Sequence, residues 1–422
     1  MNVSVHQTEN LLFATLLQLI VMVGAARLVH TVFRRFGQPG VIGEIVAGLL
    51  LGPSLLGHFL PQLSRELFGE HASSPIVMIS QIGLILLMFQ IGTDFEFGHL
   101  NTRRNRRGAV WVTLLSVSVP LAVGRLSASS LAPAINPTLY SLFFGLGLAI
   151  TAVPILGRIL RQYGLTQTEV GVVAISAAAV NDVIGWLLLS GVSAYAAAAF
   201  SGPRVLAQIG GLLALGAVLW FVLRPLAAWL VRRFPVRGGE MPPNLMAVVV
   251  CLIFILGSCT YQLGIFSIFG GFAAGVLFHR HKPFVDAWQR QVGRFVLVFF
   301  LPVFFTYTGL RTNVLGLSTA ADLHWLAVIL IAAISSKMIP VYLAGRLSGF
   351  PPTESAILGT LMNTRALMEL IVINIGFDLG LIPQNVFTML VIMAVITTVM
   401  AGPLLKLLLM RSGHAIPAGV EA

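Results

Sequence analysis

The chain is an almost continuous succession of apolar stretches with short polar loops between them. Each stretch is close to the roughly 20 residues that a helix needs to cross a bilayer. Cutting at Pro, Gly and charge clusters places them at 11–33, 39–57, 75–93, 107–126, 138–161, 168–198, 204–231, 243–263, 266–280, 290–311, 324–346, 353–378 and 383–410. In lipid every backbone N–H and C=O needs a partner within the chain, which leaves helices or closed barrels. Stretches of this length select helices, and the expected fold is an all-α polytopic membrane protein with about 13 transmembrane helices. Composition agrees, because 10% of residues are charged and 57% hydrophobic, against about 25% charged in a soluble domain. That excludes a soluble enzyme, a disordered chain and a collagen. Two stretches are atypical: 168–198 is long, and 266–280 is short and holds Gly270, Gly271 and Gly275.

The net charge of +11, from 26 Lys and Arg against 15 Asp and Glu, would suggest nucleic acid in a soluble chain. Here the basic residues sit in loops and read as topology signals, so no nucleic-acid partner is expected. Twenty of them fall in one set of alternate loops and four, Arg65, Arg125, Arg204 and Arg311, in the other, while Lys337 and Arg365 lie inside spans. That asymmetry puts the amino terminus outside and the carboxyl terminus in the cytoplasm of a bacterial inner (plasma) membrane. No basic segment precedes the first span, so a cleaved signal peptide is not expected. The loops are short and only about a dozen residues follow Leu409, so no soluble domain is expected and residues 1–422 read as one transmembrane domain. The cluster Arg103, Arg104, Arg106, Arg107 reads as a positive-inside anchor, with contact to anionic headgroups the alternative. Cys251 and Cys259, eight apart in one apolar run, share a helix face, cannot bridge, and read as small core residues.

Five ionisable residues stand where each costs on the order of 3 kcal/mol on insertion scales: Glu44, Asp182, Lys337, Arg365 and Glu369. Asp182 lies mid-span in Ala177-Ala178-Ala179-Val180-Asn181-Asp182, where small residues let another backbone approach. Desolvation disfavours the charged carboxylate, so this acid can hold a proton at one moment and a small cation at the next, with Asn181 lending a neutral amide oxygen. Lys337, equally submerged, needs an answering carboxylate, for which Asp182 is the candidate. A switch that releases Asp182 on cation binding and a permanent strut are both open.

Two spans carry helix breakers at their centres. In 138–161 the segment Thr151-Ala152-Val153-Pro154 falls near the midpoint, and Pro154 removes a donor and disturbs the carbonyl of Ile150. In 353–378 the polar patch Asn363-Thr364-Arg365 through Glu369 occupies the midpoint. The two are seven spans apart, and an odd offset reverses orientation. Residues 11–198 and 243–410 are therefore expected to be inverted repeats joined by the helix 204–231, with two discontinuous helices framing a midplane site. Glu369 would offset the positive helix ends, and Arg365 has Glu369 at i+4 or another carboxylate, such as Glu44, as partner. A plain Pro kink is the alternative for the first of the two spans.

Together, Gly43-Glu44-Ile45-Val46-Ala47-Gly48-Leu49-Leu50-Leu51-Gly52-Pro53, Thr151 to Pro154, Asn181-Asp182, Lys337 and Asn363-Thr364-Arg365 through Glu369-Leu370-Ile371-Val372 resemble the monovalent cation/proton antiporters. The resemblance is to the cation/proton antiporter-2 branch and runs through nearly the whole chain. It implies a core of six helices, here within 107–198 and 324–410, with crossed unwound helices, a separate dimerisation domain that makes a homodimer, and elevator-like alternating access. Some relatives have two aspartates where this chain has Asn181-Asp182, and the double acid is associated with electrogenic exchange. One acid implies one proton per cation.

The function expected is electroneutral antiport of Na+ or K+ against H+. Asp182 is the shared carrier, Thr151, Asn181 and unwound carbonyls complete the cation shell, and Lys337 is the charge partner. No cofactor is expected beyond the transported ions. The alternative is a sodium-coupled symporter of a small organic anion, for which Arg365 would be the substrate's cation. A channel would need rings of polar residues, and a membrane enzyme a pattern such as His-Glu-x-x-His. Neither is present, and His279-Arg280-His281 reads as a solvated loop.

Overall fold

Helices fall at every position where the sequence is apolar for a bilayer's thickness. A computed structural model describes residues 5–35, 38, 40–69, 74–93, 102–127, 137–151, 153–196, 202–264, 266–365 and 367–412. Ala152 and Ala366, inside the two breaker motifs, and residues 413–422 lie outside the described residues. In chain order the helices are α1 (Val5–Arg35), α2 (Gly40–Leu51), α3 (Leu56–Phe59), α4 (Pro61–Phe68), α5 (Ser74–Thr93), α6 (Arg103–Ser127), α7 (Pro137–Ala149), α8 (Val153–Gln162), α9 (Glu169–Ala196) and α10 (Gly202–Val218). They continue with α11 (Arg224–Arg233), α12 (Pro243–Gln262), α13 (Ser267–Phe278), α14 (Lys282–Trp288), α15 (Leu301–Leu310), α16 (Ala320–Leu347), α17 (Pro352–Met362), α18 (Leu367–Asp378) and α19 (Gln384–Ser412). Among the described residues nine spans are long and apolar enough to cross a membrane, or ten if 282–310, bent by 43°, is one span. The remaining apolar positions are filled by the shorter α13 and by the interrupted pairs α7–α8 and α17–α18.

Proline sets many of the helix starts. Pro61, Pro225, Pro243, Pro283 and Pro352 each occupy the first or second helical position, where the missing N–H is one of the orphans anyway. Helix α16 starts on a capping box, with Thr319 Oγ1 accepting from Asp322 N at 3.1 Å and Asp322 Oδ2 accepting from Thr319 N at 3.3 Å.

The chain divides into two compact units. One comprises 1–26, 60–96 and 197–307. Its core joins Phe89 to Leu245, Val249, Ile253 and Trp288, with the Phe89 and Trp288 rings 4.5 Å apart. Cys251 and Cys259 are exposed on α12, which corrects their assignment to the core. The buried face of that helix is Leu245, Val249, Ile253, Leu256 and Thr260, and positions 251 and 259 fall on the other side at 3.6 residues per turn. Both thiols are free.

The second unit comprises 27–59, 97–196 and 308–422. Here α6 packs on α7, α9 and α16, and α17 packs on α16 and α19. A Cβ on Gly124 would fall 2.2 Å from Gly145 Cα, so the absence of side chains at these two positions is what lets α6 and α7 cross so closely.

Candidate functional site

The second unit contains both helix breaks. Helix α7 ends at Ala149 and α8 begins at Val153, with Pro154 in the first turn of α8. The segment is therefore an interruption rather than a kink. Helix α17 ends at Met362 and α18 begins at Leu367, with Glu369 in the first turn of α18. The breaks are tied together, since Thr151 Oγ1 donates to Met362 O at 3.0 Å and accepts from Asn181 Nδ2 at 3.2 Å. Arg365 N donates to Thr398 Oγ1 of α19 at 3.3 Å.

A helix end leaves carbonyls without intrahelical donors, and a neutral amide and two buried cations answer those of α7. Asn181 Nδ2 donates to Ala149 O at 3.2 Å, as does the Lys337 ammonium, and Arg365 Nη1 donates to Gly147 O at 3.1 Å. Positive charge beside a helix C-terminus is favourable for the same reason. Lys337 Nζ also donates to Ser116 O at 3.1 Å. That carbonyl lies four residues before Pro120, inside α6, and Pro120 has no N–H to offer it.

All five candidate charges are submerged: Lys337, Arg365 and Glu369 are wholly buried, Glu44 is 1% exposed and Asp182 3%. Arg365 Nη1 donates to Glu369 Oε1 at 3.2 Å and Nη2 to Ala333 O at 3.2 Å, so the i,i+4 pairing is made. No hydrogen bond or ion pair joins Lys337 to Asp182 among the described residues. The ammonium is held instead by the Ser116 and Ala149 carbonyls. Asp182 Oδ1 is buried without a hydrogen-bond partner among the described residues. An acidic oxygen so placed is costly unless a proton or a cation answers it.

Glu44 belongs elsewhere. Its Oε1 lies 2.8 Å from His30 Nδ1 and 4.0 Å from Arg27 Nη1, both on α1. Among the arginines at the start of α6, Arg104 is ion-paired with Glu169 and lies 4.8 Å from the Phe350 ring centroid. Ser116, His30 and Thr398 were not picked out by sequence reasoning. For Ser116 the signal was Pro120 at i+4, and for His30 an imidazole within an apolar run 14 residues before Glu44.

The family profile described as "Sodium/hydrogen exchanger, transmembrane" matches residues 20–411. The chain is 34% identical over 405 residues to the Na(+)/H(+) antiporter NhaS4 of Synechocystis, covering 94% of this chain and 97% of that protein. It is 32% identical to Cation/H(+) antiporter 18 of Arabidopsis thaliana over 92% of this chain, and spans about half, 48%, of that plant protein's length. The solved structure of the sodium proton antiporter MjNhaP1 from Methanocaldococcus jannaschii matches with a TM-score of 0.59 at 16% identity, covering 93% of this chain and 95% of that one. That likeness is one of fold. The chain is an integral membrane protein that belongs to the sodium/hydrogen exchanger family.

Proposed function

We propose that this protein exchanges a monovalent cation, Na+ or K+, for H+, with Asp182 as the carrier both ions share. The observation that carries this reading is the buried Oδ1 of Asp182, without a partner among the described residues, in the unit that holds both interrupted helices. Either a proton or a partly dehydrated cation satisfies that oxygen, and the two exclude each other. The names of the relatives, antiporters of Na+ or other cations against H+, support the same reading.

In the mechanism, Thr151 and the Asn181 amide oxygen help to shape the cation shell next to Asp182, while the Asn181 nitrogen stays on Ala149 O and Thr151 Oγ1. Lys337 steadies the α7 end and answers the Asp182 charge when no cation is bound. Arg365 and Glu369 neutralise one another across the α18 start, which leaves Arg365 no free charge for an organic anion and disfavours the symporter. Alternating access follows from desolvation. A bare carboxylate cannot cross the low-dielectric barrier, so the loaded forms move and leak is suppressed. One acid at this position gives one proton per cation and electroneutral exchange. A homodimer with the amino terminus outside and the carboxyl terminus in the cytoplasm completes the reading.

The test is Asp182→Asn in proteoliposomes loaded with a pH dye. The amide neither titrates nor supplies charge, so cation-induced pH change is expected to fall to the level of empty vesicles; near-normal exchange refutes the assignment.

A further inference from the structure

The α17–α18 break holds a polar side chain that the Asp182 mechanism leaves unused. Asn363 caps the end of α17, is 1% exposed, and has no hydrogen-bond partner on either Oδ1 or Nδ2 among the described residues. Buried amides are nearly always bonded, because each carries two donors and two acceptor positions. Backbone conformation does not explain the choice of residue. The φ of −84° is right-handed helical, not the left-handed value for which Asn is favoured at helix ends. The backbone N–H is already satisfied by Gly359 O at 3.2 Å. Volume does not explain it either, since a Leu or Met of similar size, like its neighbours Leu361 and Met362, would fill the space without a stranded amide.

The position of Asn363 does explain it. The preceding residue, Met362, accepts the Thr151 hydroxyl at 3.0 Å, and Thr151 accepts the Asn181 amide, one residue before Asp182. Adjacent Cα atoms are about 3.8 Å apart, so Asn363 stands one peptide from the clip that joins the two breaks. Two buried residues with oxygens unsatisfied among the described residues, Asp182 on the unbroken α9 and Asn363 at the α17–α18 break, therefore stand on either side of one clip.

We propose that Asn363 lends its amide oxygen, from the α17–α18 break, to the cation carried by Asp182, and that this second neutral ligand sets which monovalent cation is preferred. The inference rests on the Asp182 reading, and its test separates the two. Dequenching by Na+, K+, Li+ and Rb+ is measured on proteoliposomes of the unaltered protein, Asn363→Ala, Asn363→Ser and Asp182→Asn. Asn363→Ala is expected to raise the half-maximal concentration of the preferred cation about tenfold and to flatten the differences among the four ions. Asn363→Ser, which keeps one oxygen on a shorter side chain, is expected to change their order, and it carries the test if the alanine variant does not fold. Unchanged half-maximal concentrations and an unchanged order in the folded variants overturn the proposal. A lowered melting temperature with the same cation order also overturns it, because that is the mark of packing alone. Activity in Asp182→Asn defeats the underlying reading, whereas an inactive Asp182→Asn beside Asn363 variants that behave as the unaltered protein removes Asn363 alone.

Discussion

Arg365 anchors the interrupted helices from several directions, donating from its side chain to Gly147 O, Ala333 O and Glu369, and from its backbone to Thr398. Removing one partner of a buried pair strands the other, at a cost of about 3–5 kcal/mol. Arg365→Gln is therefore expected to lower the melting temperature in detergent sharply, and Arg365→Gln combined with Glu369→Gln to recover part of the loss. If the double variant melts no higher than the single, the pair is not coupled as described. The i,i+4 spacing of this pair was readable in the sequence, as were Asp182 and Lys337, because a charge inside an apolar stretch is conspicuous. The partners of Lys337 were not readable. Carbonyls have no side-chain letter, and those of Ser116 and Ala149 become acceptors only through Pro120 and the end of α7. The importance of Asn363 was hidden for a similar reason, since a neutral amide in a polar patch looks ordinary until it is found buried and unbonded.

Both helix interruptions were legible from breaker chemistry, Pro154 in one and the polar patch before Glu369 in the other, because backbone groups freed in lipid need other partners. The shortness of α13 was legible from its glycines, which let it lie against neighbouring backbones in the first unit. A Cβ on Gly275 would meet Phe89 O at 2.1 Å and Gly92 Cα at 2.9 Å. Gly275→Val is expected to force α13 away from α5 and destabilise the protein by about 1–3 kcal/mol or more. Gly216→Ala, inside α10 and with nothing within 4 Å, is expected to leave stability unchanged or to raise it by up to about 1 kcal/mol, because Ala is the better helix former. Equal melting of Gly275→Val and the unaltered protein would refute the close crossing. The π-helical turns at 289–293 and 296–300 flank the bend in the span expected at 290–311. Pro302, two residues beyond the second turn, has no N–H to offer Val298 O inside it, whereas no proline stands in the same relation to the first.

At the scale of the whole molecule, hydropathy located the apolar segments well, because chain length per crossing is fixed by bilayer thickness. Which short segments cross alone and which pair across a break depends on three-dimensional packing, so α7–α8, α13 and α17–α18 fall below the length of a complete span. What integrates these parts is one acidic oxygen alternately serving a proton and a cation, and competition of that kind has a quantitative signature. The half-maximal concentration of Na+ or K+ is measured in proteoliposomes across the acid limb of the pH profile. One shared carboxylate predicts a rise of about tenfold for each unit of acidification, with the maximal rate at saturating cation unchanged. A half-maximal concentration independent of pH, with only the maximal rate falling, contradicts competition at Asp182, and a hundredfold rise per unit contradicts one proton per cation.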